Sequence, residues 1–366
     1  EILIIHTPVS SQIGQRISLK EIKYLKRSVK NLQPKFSHLY IEEEAYGYSL
    51  SKIILRKFSN SSIIDIKHYK DVFNRSGQDF QTQKKSMNLI LAKKTPPFLY
   101  PVTDMVQGHH MPGFFYTTPM LNCLYNCEYC FLQGMYPSGN IVLFVNQDDF
   151  QNAVKVKLNQ NKLLKEGLTV SISYNTDLLA MENLFPITKN WIEFASKTRN
   201  LIVEIRTKSS NYGFIKSVVP SNNVVLSWTI SPEVVSKSYE HLAPPLHQRI
   251  SAIKSAMDKG WKVRLCFDPI MNIENWEKIY SEFFIHIFQT LNTKNLYDVT
   301  VGTFRMNKDY FNRINRRNPE SDIYYSEYVN ENNTVALPKN IRSHIMEKLK
   351  QELSKYIVPK KILVWD

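Results

Sequence analysis

Short apolar runs alternate with longer amphipathic stretches through the middle of the chain. The apolar runs predict strands at 168–172, 201–205, 224–230, 262–267 and 298–301. The stretches between them predict helices near 147–165, 187–198, 245–259 and 275–291. Repeated strand–helix units favour a parallel sheet or a partial (β/α) barrel. In such barrels the chemistry lies where strands end and loops begin.

Similar patterns flank this region on both sides. A basic amphipathic helix is predicted over 18–32, with Ser18 as N-cap and Glu21 three residues on. Strands are predicted at 38–42, 62–66 and 87–92, a helix at 49–55, and near the end a helix at 341–355 and a strand at 361–365. We therefore expect three parts: an N-terminal α/β extension (1–115), a barrel (116–305) and a C-terminal extension (306–366).

Composition is typical of a globular protein. The 366 residues are 43% hydrophobic and contain no apolar run as long as a membrane span. No secretory pattern opens the chain, although its first residue is Glu1, which leaves a short preceding targeting segment open. With only four cysteines, a reducing cytoplasm is the expected location.

The chain is strongly basic, with a formal net charge of +14. Such an excess favours a polyanionic partner, and nucleic acid is the first candidate. The alternative is a general lysine- and asparagine-rich composition that raises the isoelectric point without a binding role. Both interpretations fit the even spread of basic residues.

Three of the four cysteines, Cys123, Cys127 and Cys130, form a C-x3-C-x2-C motif. Such a triad can hold three irons of a [4Fe–4S] cluster and leave the fourth iron open for a small molecule. This motif resembles the loop of radical S-adenosylmethionine (radical SAM) enzymes. The fourth cysteine, Cys266, lies in an apolar run and is predicted to be a buried structural thiol.

Other interpretations of the triad remain. Disulfides are disfavoured because three close cysteines leave one unpaired. A structural zinc ion needs a fourth ligand, and no second ligand pair follows, although His109 and His110 lie just upstream. A chance group of buried thiols is the third alternative.

Several segments in chain order resemble the spore photoproduct lyase family of radical SAM proteins. The resemblance is carried by Cys127-Glu-Tyr-Cys-Phe-Leu-Gln133, 141–146, 40–49, Thr176-Asp177, Thr207-Lys208, 244–249, Asp268-Pro-Ile270 and Trp276. It implies an α/β fold with a partial (β/α)6 radical-SAM-type barrel and a small N-terminal α/β extension. It also implies a [4Fe–4S] cluster and S-adenosylmethionine as cofactors, which generate a 5′-deoxyadenosyl radical.

The resemblance assigns roles to particular positions. Cys123, Cys127 and Cys130 match the cluster ligands, and Tyr129 matches a relay tyrosine. Thr176, Asp177, Lys208 and Thr229 match positions around S-adenosylmethionine, with Asp268 near the same pocket. From the residues alone, each polar side chain has a plainer interpretation: strand-end cap, helix N-cap or solvated loop charge.

Two departures from the family concern hydrogen return. The family's hydrogen-donating cysteine aligns with Tyr174, and its second relay tyrosine aligns with Phe131, which has no hydroxyl. Cys266 could replace the missing donor only if its strand aims it at the pocket. Asp268 stands where the repair enzyme has a small residue and adds a negative charge.

Three functions follow as hypotheses. The first is a radical SAM lyase that acts on a DNA pyrimidine-dimer lesion, with DNA and an external one-electron reductant of flavodoxin or ferredoxin type as partners and no membrane. The second is a radical SAM enzyme that acts on a nucleotide, peptide or metabolite. The third is a non-catalytic nucleic-acid-binding protein with a structural metal site.

Overall fold

A computed structural model describes residues 35–101, 113–160 and 167–365. The helix predicted at 18–32 lies outside these residues. Among the described residues, no helix combines the length and the apolar character that crossing a bilayer requires.

The strands, in chain order, are β1 (His38–Glu42), β2 (Ser62–Ile66), β3 (Leu89–Ala92), β4 (Tyr100–Pro101), β5 (Phe114–Tyr116), β6 (Met120–Leu121), β7 (Asn126–Cys127), β8 (Ile141–Phe144), β9 (Leu168–Ser171), β10 (Leu201–Thr207), β11 (Val224–Thr229), β12 (Glu240–His241), β13 (Lys262–Ile270), β14 (Leu296–Thr303), β15 (Arg305–Asn307), β16 (Val329–Glu331), β17 (Thr334–Ala336) and β18 (Ile362–Trp365). The helices are α1 (Ser49–Lys57), α2 (Lys70–Phe73), α3 (Phe80–Lys85), α4 (Phe131–Met135), α5 (Gln147–Gln160), α6 (Ile187–Ser196), α7 (Glu233–Tyr239), α8 (Leu246–Asp258), α9 (Trp276–Thr290), α10 (Lys308–Arg317) and α11 (Lys339–Leu353). The predicted strands and helices that fall in the described ranges are all present, and the α/β class is confirmed.

The larger sheet has the strand order β18-β14-β13-β11-β10-β9-β5-β4. All neighbours from β5 to β18 are parallel, and only the β4–β5 pair is antiparallel. Helix α6 packs on β10 and β11, α8 packs on β13, and α11 packs on β14 and β18. The ends of seven parallel strands therefore meet along one edge, where loops can gather a site.

One face of this sheet carries buried charges. In β10, Glu204 alternates with the apolar Val203 and Ile205, so it points to the opposite face. Arg264 of β13 donates to Glu204 (2.9 Å) and, through a second nitrogen, to Asp298 of β14 (2.7 Å). Buried charges require such pairing, and this network joins three strands beneath their carboxyl ends.

The smaller sheet has the order β2-β1-β3-β8-β6. Strands β2, β1, β3 and β8 are parallel, and β6 runs antiparallel to β8. Strands β6 and β8 belong to the predicted barrel range, yet β8 pairs with β3 of the 1–115 range, and β6 joins the same sheet through β8. They flank residues 122–130, which we call the cysteine loop. The three-part division of the chain remains a prediction.

Candidate active site

The cysteine loop is fixed at its start, middle and end. It begins at Asn122, which has a φ of 71°, a left-handed conformation that asparagine tolerates well. The Asn122 side-chain amide donates to the main-chain oxygens of Ser138 (2.8 Å) and Asn140 (2.9 Å). In the middle, β7 pairs with β12. At the end, α4 begins directly after Cys130.

All three cysteines of the loop line one cavity of about 660 Å³. Burial raises the pKa of Cys123 to about 12 and also raises the pKa of Cys127 and of Cys130. The thiolate is the form that binds metal, and binding of the metal itself releases the thiol protons. Three thiols on one cavity wall fit the iron of a [4Fe–4S] cluster.

The arrangement of possible metal ligands also indicates which kind of metal site the cavity can hold. Among the described residues, no three His, Cys, Asp or Glu side chains gather around a single ion position. A four-iron cluster does not require such gathering, because each cysteine binds a different iron atom. His109 and His110 lie outside the described residues.

The other predicted site residues line the same cavity at or near strand ends. Tyr174, Thr176 and Asp177 follow β9, Lys208 follows β10, Thr229 ends β11, Asp268 lies in β13, and Tyr129 lies in the cysteine loop. The Oγ1 atom of Thr176 is buried and has no hydrogen-bond partner within the described part of the chain. Buried polar atoms are normally satisfied, so this hydroxyl is suited to a polar group of a bound cofactor.

The Asp177 carboxylate forms its hydrogen bonds with other residues of the protein. Its carboxylate accepts hydrogen bonds from the Ala180 amide (3.0 Å), the Thr207 hydroxyl (2.7 Å) and the Lys208 amide (2.7 Å). Burial raises the pKa of the Asp177 carboxyl, although these three donors oppose the shift. The geometry therefore makes Asp177 a residue that positions Lys208.

Tyr129 and Lys208 lie beside each other at the cavity wall. The Lys208 ammonium lies 5.3 Å from the centre of the Tyr129 ring. The Tyr129 hydroxyl donates to the Glu240 carboxylate, which pairs with Arg249 at 2.6 Å in a fully buried ion pair. Burial and the Glu240 charge raise the pKa of Tyr129. Its proton is thus engaged by a fixed anion rather than directed at the cavity.

Tyr174 belongs to a row of aromatic rings along the cavity. Its ring centre lies 5.3 Å from that of Phe131 and 4.6 Å from that of Tyr116. Tyr116 in turn stacks on Tyr100 at 5.2 Å. Burial raises the pKa of Tyr174 to about 12, so its phenol keeps its hydrogen at neutral pH.

The negative charge of Asp268 is balanced by two arginines. Arg206 lies 3.1 Å and Arg305 lies 3.3 Å from its carboxylate oxygens. Arg206 also donates to the Thr229 hydroxyl at 3.2 Å. A Cβ on Gly302 would come within 2.8 Å of the Arg305 guanidinium and 3.0 Å of the Asp268 carboxylate, so a larger residue here would make these two side chains shift.

Cys266 is fully buried and is not among the residues that line the cavity. It lies in β13 opposite Thr229 of β11 and Thr300 of β14. This position fits the predicted structural thiol and gives Cys266 no access to a substrate in the cavity.

Sequence reasoning missed four residues of the site: Tyr116, Arg206 and Arg305 in the cavity wall, and Lys84 behind the cysteine loop. Arg206 had a usable signal, because it stands two residues after Glu204, on the same face of the strand, with the apolar Ile205 between them. Tyr116 and Lys84 gave none, since only long-range contacts bring them to the site.

Comparison with known proteins identifies a family that the chain matches in sequence. A model of the family described as spore photoproduct lyase matches residues 33–357. None of the curated proteins matches the chain in sequence.

The chain is also similar in fold to solved structures of spore photoproduct lyase. A double mutant with bound AdoMet and dinucleoside spore photoproduct superposes with a TM-score of 0.79 at 18% identity, covering 92% of this chain and 99% of that chain. The enzyme complexed with dinucleoside spore photoproduct gives 0.76 at 18% identity, with coverage of 92% and 99%. At this identity the similarity concerns the fold, and it confirms the predicted partial barrel.

Proposed function

Because the chain belongs to the spore photoproduct lyase family of radical SAM enzymes, we propose that it splits a pyrimidine-dimer lesion in DNA. The observation that carries this proposal is the single cavity, which is lined by the three cysteines and by polar residues from the ends of neighbouring strands. A [4Fe–4S] cluster and S-adenosylmethionine, when bound, supply a 5′-deoxyadenosyl radical that takes a hydrogen atom from the substrate.

The chain's own residues bind and orient these groups. Cys123, Cys127 and Cys130 would hold three irons. Lys208, held in place by Asp177, offers an ammonium to the carboxylate of S-adenosylmethionine. The unpaired hydroxyl of Thr176 offers a hydrogen bond to its polar groups.

Tyr174 is the proposed hydrogen donor to the product radical. It lines the cavity and keeps its phenolic hydrogen, whereas Tyr129 is tied to Glu240 and Phe131 has no hydroxyl. Donation breaks the O–H bond of Tyr174 and forms a C–H bond on the product. The tyrosyl radical that remains returns to the phenol by taking one electron, assigned to the external reductant of flavodoxin or ferredoxin type, and one proton from water.

DNA is the proposed partner of the whole protein. The net charge of +14 suits a surface that tracks phosphates. A lesion inside a duplex would have to be flipped out of the stack to enter the cavity.

A second candidate is a radical SAM enzyme with a nucleotide, peptide or metabolite as substrate. The group of Asp268, Arg206 and Arg305 favours it, because Asp268 stands where the repair enzyme has a small residue. Such a group selects a substrate by its own donors and acceptors.

The test is anaerobic reconstitution with iron and sulfide, reduction with dithionite, and chromatography with and without DNA that carries spore photoproduct. Production of 5′-deoxyadenosine together with thymine recovery is the expected result. Production of 5′-deoxyadenosine without thymine recovery would support the second candidate. A wild-type protein that binds no iron would overturn the radical SAM assignment.

A further inference from the structure

Lys84 is a lysine buried behind the cysteine loop. Only 3% of it is exposed. Its ammonium donates to the main-chain oxygen of Cys123, lies 4.0 Å from the sulfur of Met87, and lies 5.8 Å from the centre of the Phe80 ring. A carbonyl, a thioether and an aromatic ring are all neutral groups, so none of them cancels its charge.

The groups that favour the charged form of Lys84 belong to the cysteine loop. Burial lowers the pKa of the Lys84 ammonium, and the thiolate forms of Cys123, Cys130 and Cys127 oppose that shift. Among the described residues, no aspartate or glutamate forms an ion pair with Lys84, whereas the buried Arg249 and Arg264 both have carboxylate partners. An isolated buried ammonium is strongly unfavourable unless an anion lies nearby.

Helix α3 holds Lys84 at a fixed place against the loop. Gln81 accepts a hydrogen bond from Asn126 at 2.9 Å, and Gln83 accepts one from the Gly139 amide at 2.7 Å. A Cβ on Gly139 would lie 2.7 Å from the Phe80 main-chain oxygen. The helix and the segment after the cysteines are therefore in direct backbone contact, so the ammonium has little freedom to move away.

We propose that Lys84 is the counter-ion of the cluster and raises its reduction potential. This proposal rests on the proposed function, because it requires the cluster. A doubly positive four-iron core with three thiolates carries one net negative charge, and a one-electron reduction makes it two. A fixed positive charge in a buried site stabilises the more negative state. Lys84 therefore acts on the ease of reduction rather than on cluster binding alone.

The test measures the midpoint potential of the reconstituted protein by an anaerobic redox titration followed by electron paramagnetic resonance. Lys84→Met keeps an unbranched side chain, shorter by one non-hydrogen atom, and removes its charge. We expect it to shift the equilibrium between oxidised and reduced cluster at least tenfold towards the oxidised form, which is about 59 mV for one electron. The matched control is Lys85→Met, because Lys85 is the exposed neighbour on the same helix. The cluster of this control protein should have the wild-type midpoint potential.

Lys84→Arg separates charge from packing. We expect it to load iron and to keep a potential close to that of the wild type. A purely structural role would change iron content without moving the potential of the clusters that form, so a loaded Lys84→Met protein with the wild-type potential would overturn the proposal. If Lys84→Met binds no iron, the iron content of Lys84→Arg is the deciding measurement. An arginine variant that binds iron supports the proposal. If neither variant binds iron although the apo protein is folded, the proposal is overturned. A wild-type protein without iron contradicts the proposed function instead.

Discussion

At the scale of single residues, the cysteines of the cavity differ from Cys266 in what they face. Cys127 lines the cavity, whereas Cys266 is fully enclosed between strands. We expect Cys127→Ala to lose nearly all cluster iron and sulfide after reconstitution, because three ligands are needed to hold the cluster with one iron open. Cys266→Ala is the control and should keep the wild-type load. A full load in Cys127→Ala would contradict the assignment.

Tyr174 carries the second prediction at this scale. Tyr174→Phe removes only the hydroxyl that donates hydrogen, so 5′-deoxyadenosine should still form. Thymine recovery should fall at least about tenfold, which corresponds to a barrier raised by about 1.4 kcal/mol. Both products are measured in the same chromatogram. Tyr325→Phe is a suitable control, because Tyr325 is 67% exposed and lies outside the cavity lining. Equal thymine recovery in Tyr174→Phe and wild type would remove Tyr174 from the hydrogen path.

At the scale of elements, the short helix after the cysteines depends on close contact with α10. A Cβ on Gly134 of α4 would lie 2.4 Å from the Cβ of Tyr310, so Gly134→Ala forces the two helices apart. Overpacking of this kind costs about 1–3 kcal/mol. We expect lower stability of the apo protein in urea and reduced iron loading, because α4 begins at the last cysteine. Gly47→Ala, where a Cβ meets nothing within 4 Å, should match the wild type in both measurements.

The N-terminus of α6 gives a prediction for pH dependence. Glu182 accepts hydrogen bonds from the Thr188 and Lys189 amides, yet burial raises its pKa from the ordinary 4.5 to about 7. A pKa raised in the folded state contributes stability that is present below the unfolded pKa and is lost as pH rises through the folded pKa. From about pH 5 to about pH 8, this group should remove about 2 kcal/mol of unfolding free energy.

Urea unfolding of the apo protein at several pH values measures this loss. In Glu182→Gln the loss should be absent, even if the variant is less stable overall because an amide replaces one hydrogen-bond acceptor. Glu193→Gln changes an exposed carboxylate of the same helix and should keep the wild-type pH profile. A Glu182→Gln protein with that same profile would contradict the assigned cause.

Local sequence signals predicted most elements but few of the contacts that form the site. Strands β1 and β2 have the predicted bounds because their apolar runs are short and interrupted by polar residues. No comparable apolar run marks β7, β12 and β15, because these strands are only two or three residues long. The bond between Tyr129 and Glu240 joins residues 111 positions apart, and nothing near either residue indicates the other. Tertiary contacts, not local propensity, decide such pairs.

At the scale of the whole molecule, the net charge of +14 predicts salt-sensitive DNA binding. Each phosphate contact releases counter-ions, so affinity falls steeply with salt concentration. Between about 50 and about 200 mM salt, we expect at least a tenfold loss of affinity for a damaged oligonucleotide, measured by fluorescence anisotropy. Binding of a neutral dinucleoside lesion to the same protein is the control and should change little. Salt-independent oligonucleotide binding would favour the second candidate function.

The smaller sheet has a consequence for the order of synthesis. Its strands all lie before residue 145, whereas β9 and the parallel strands that follow it come later in the chain. Chains emerge from the ribosome N-terminus first, at about 5–20 residues per second. The sheet that flanks the cysteine loop can therefore assemble while most of the barrel is still being translated. At that rate the rest of the chain takes about 10–40 seconds to emerge. During this time the three thiols lie beside the sheet, open to iron-delivery proteins and equally to oxidants.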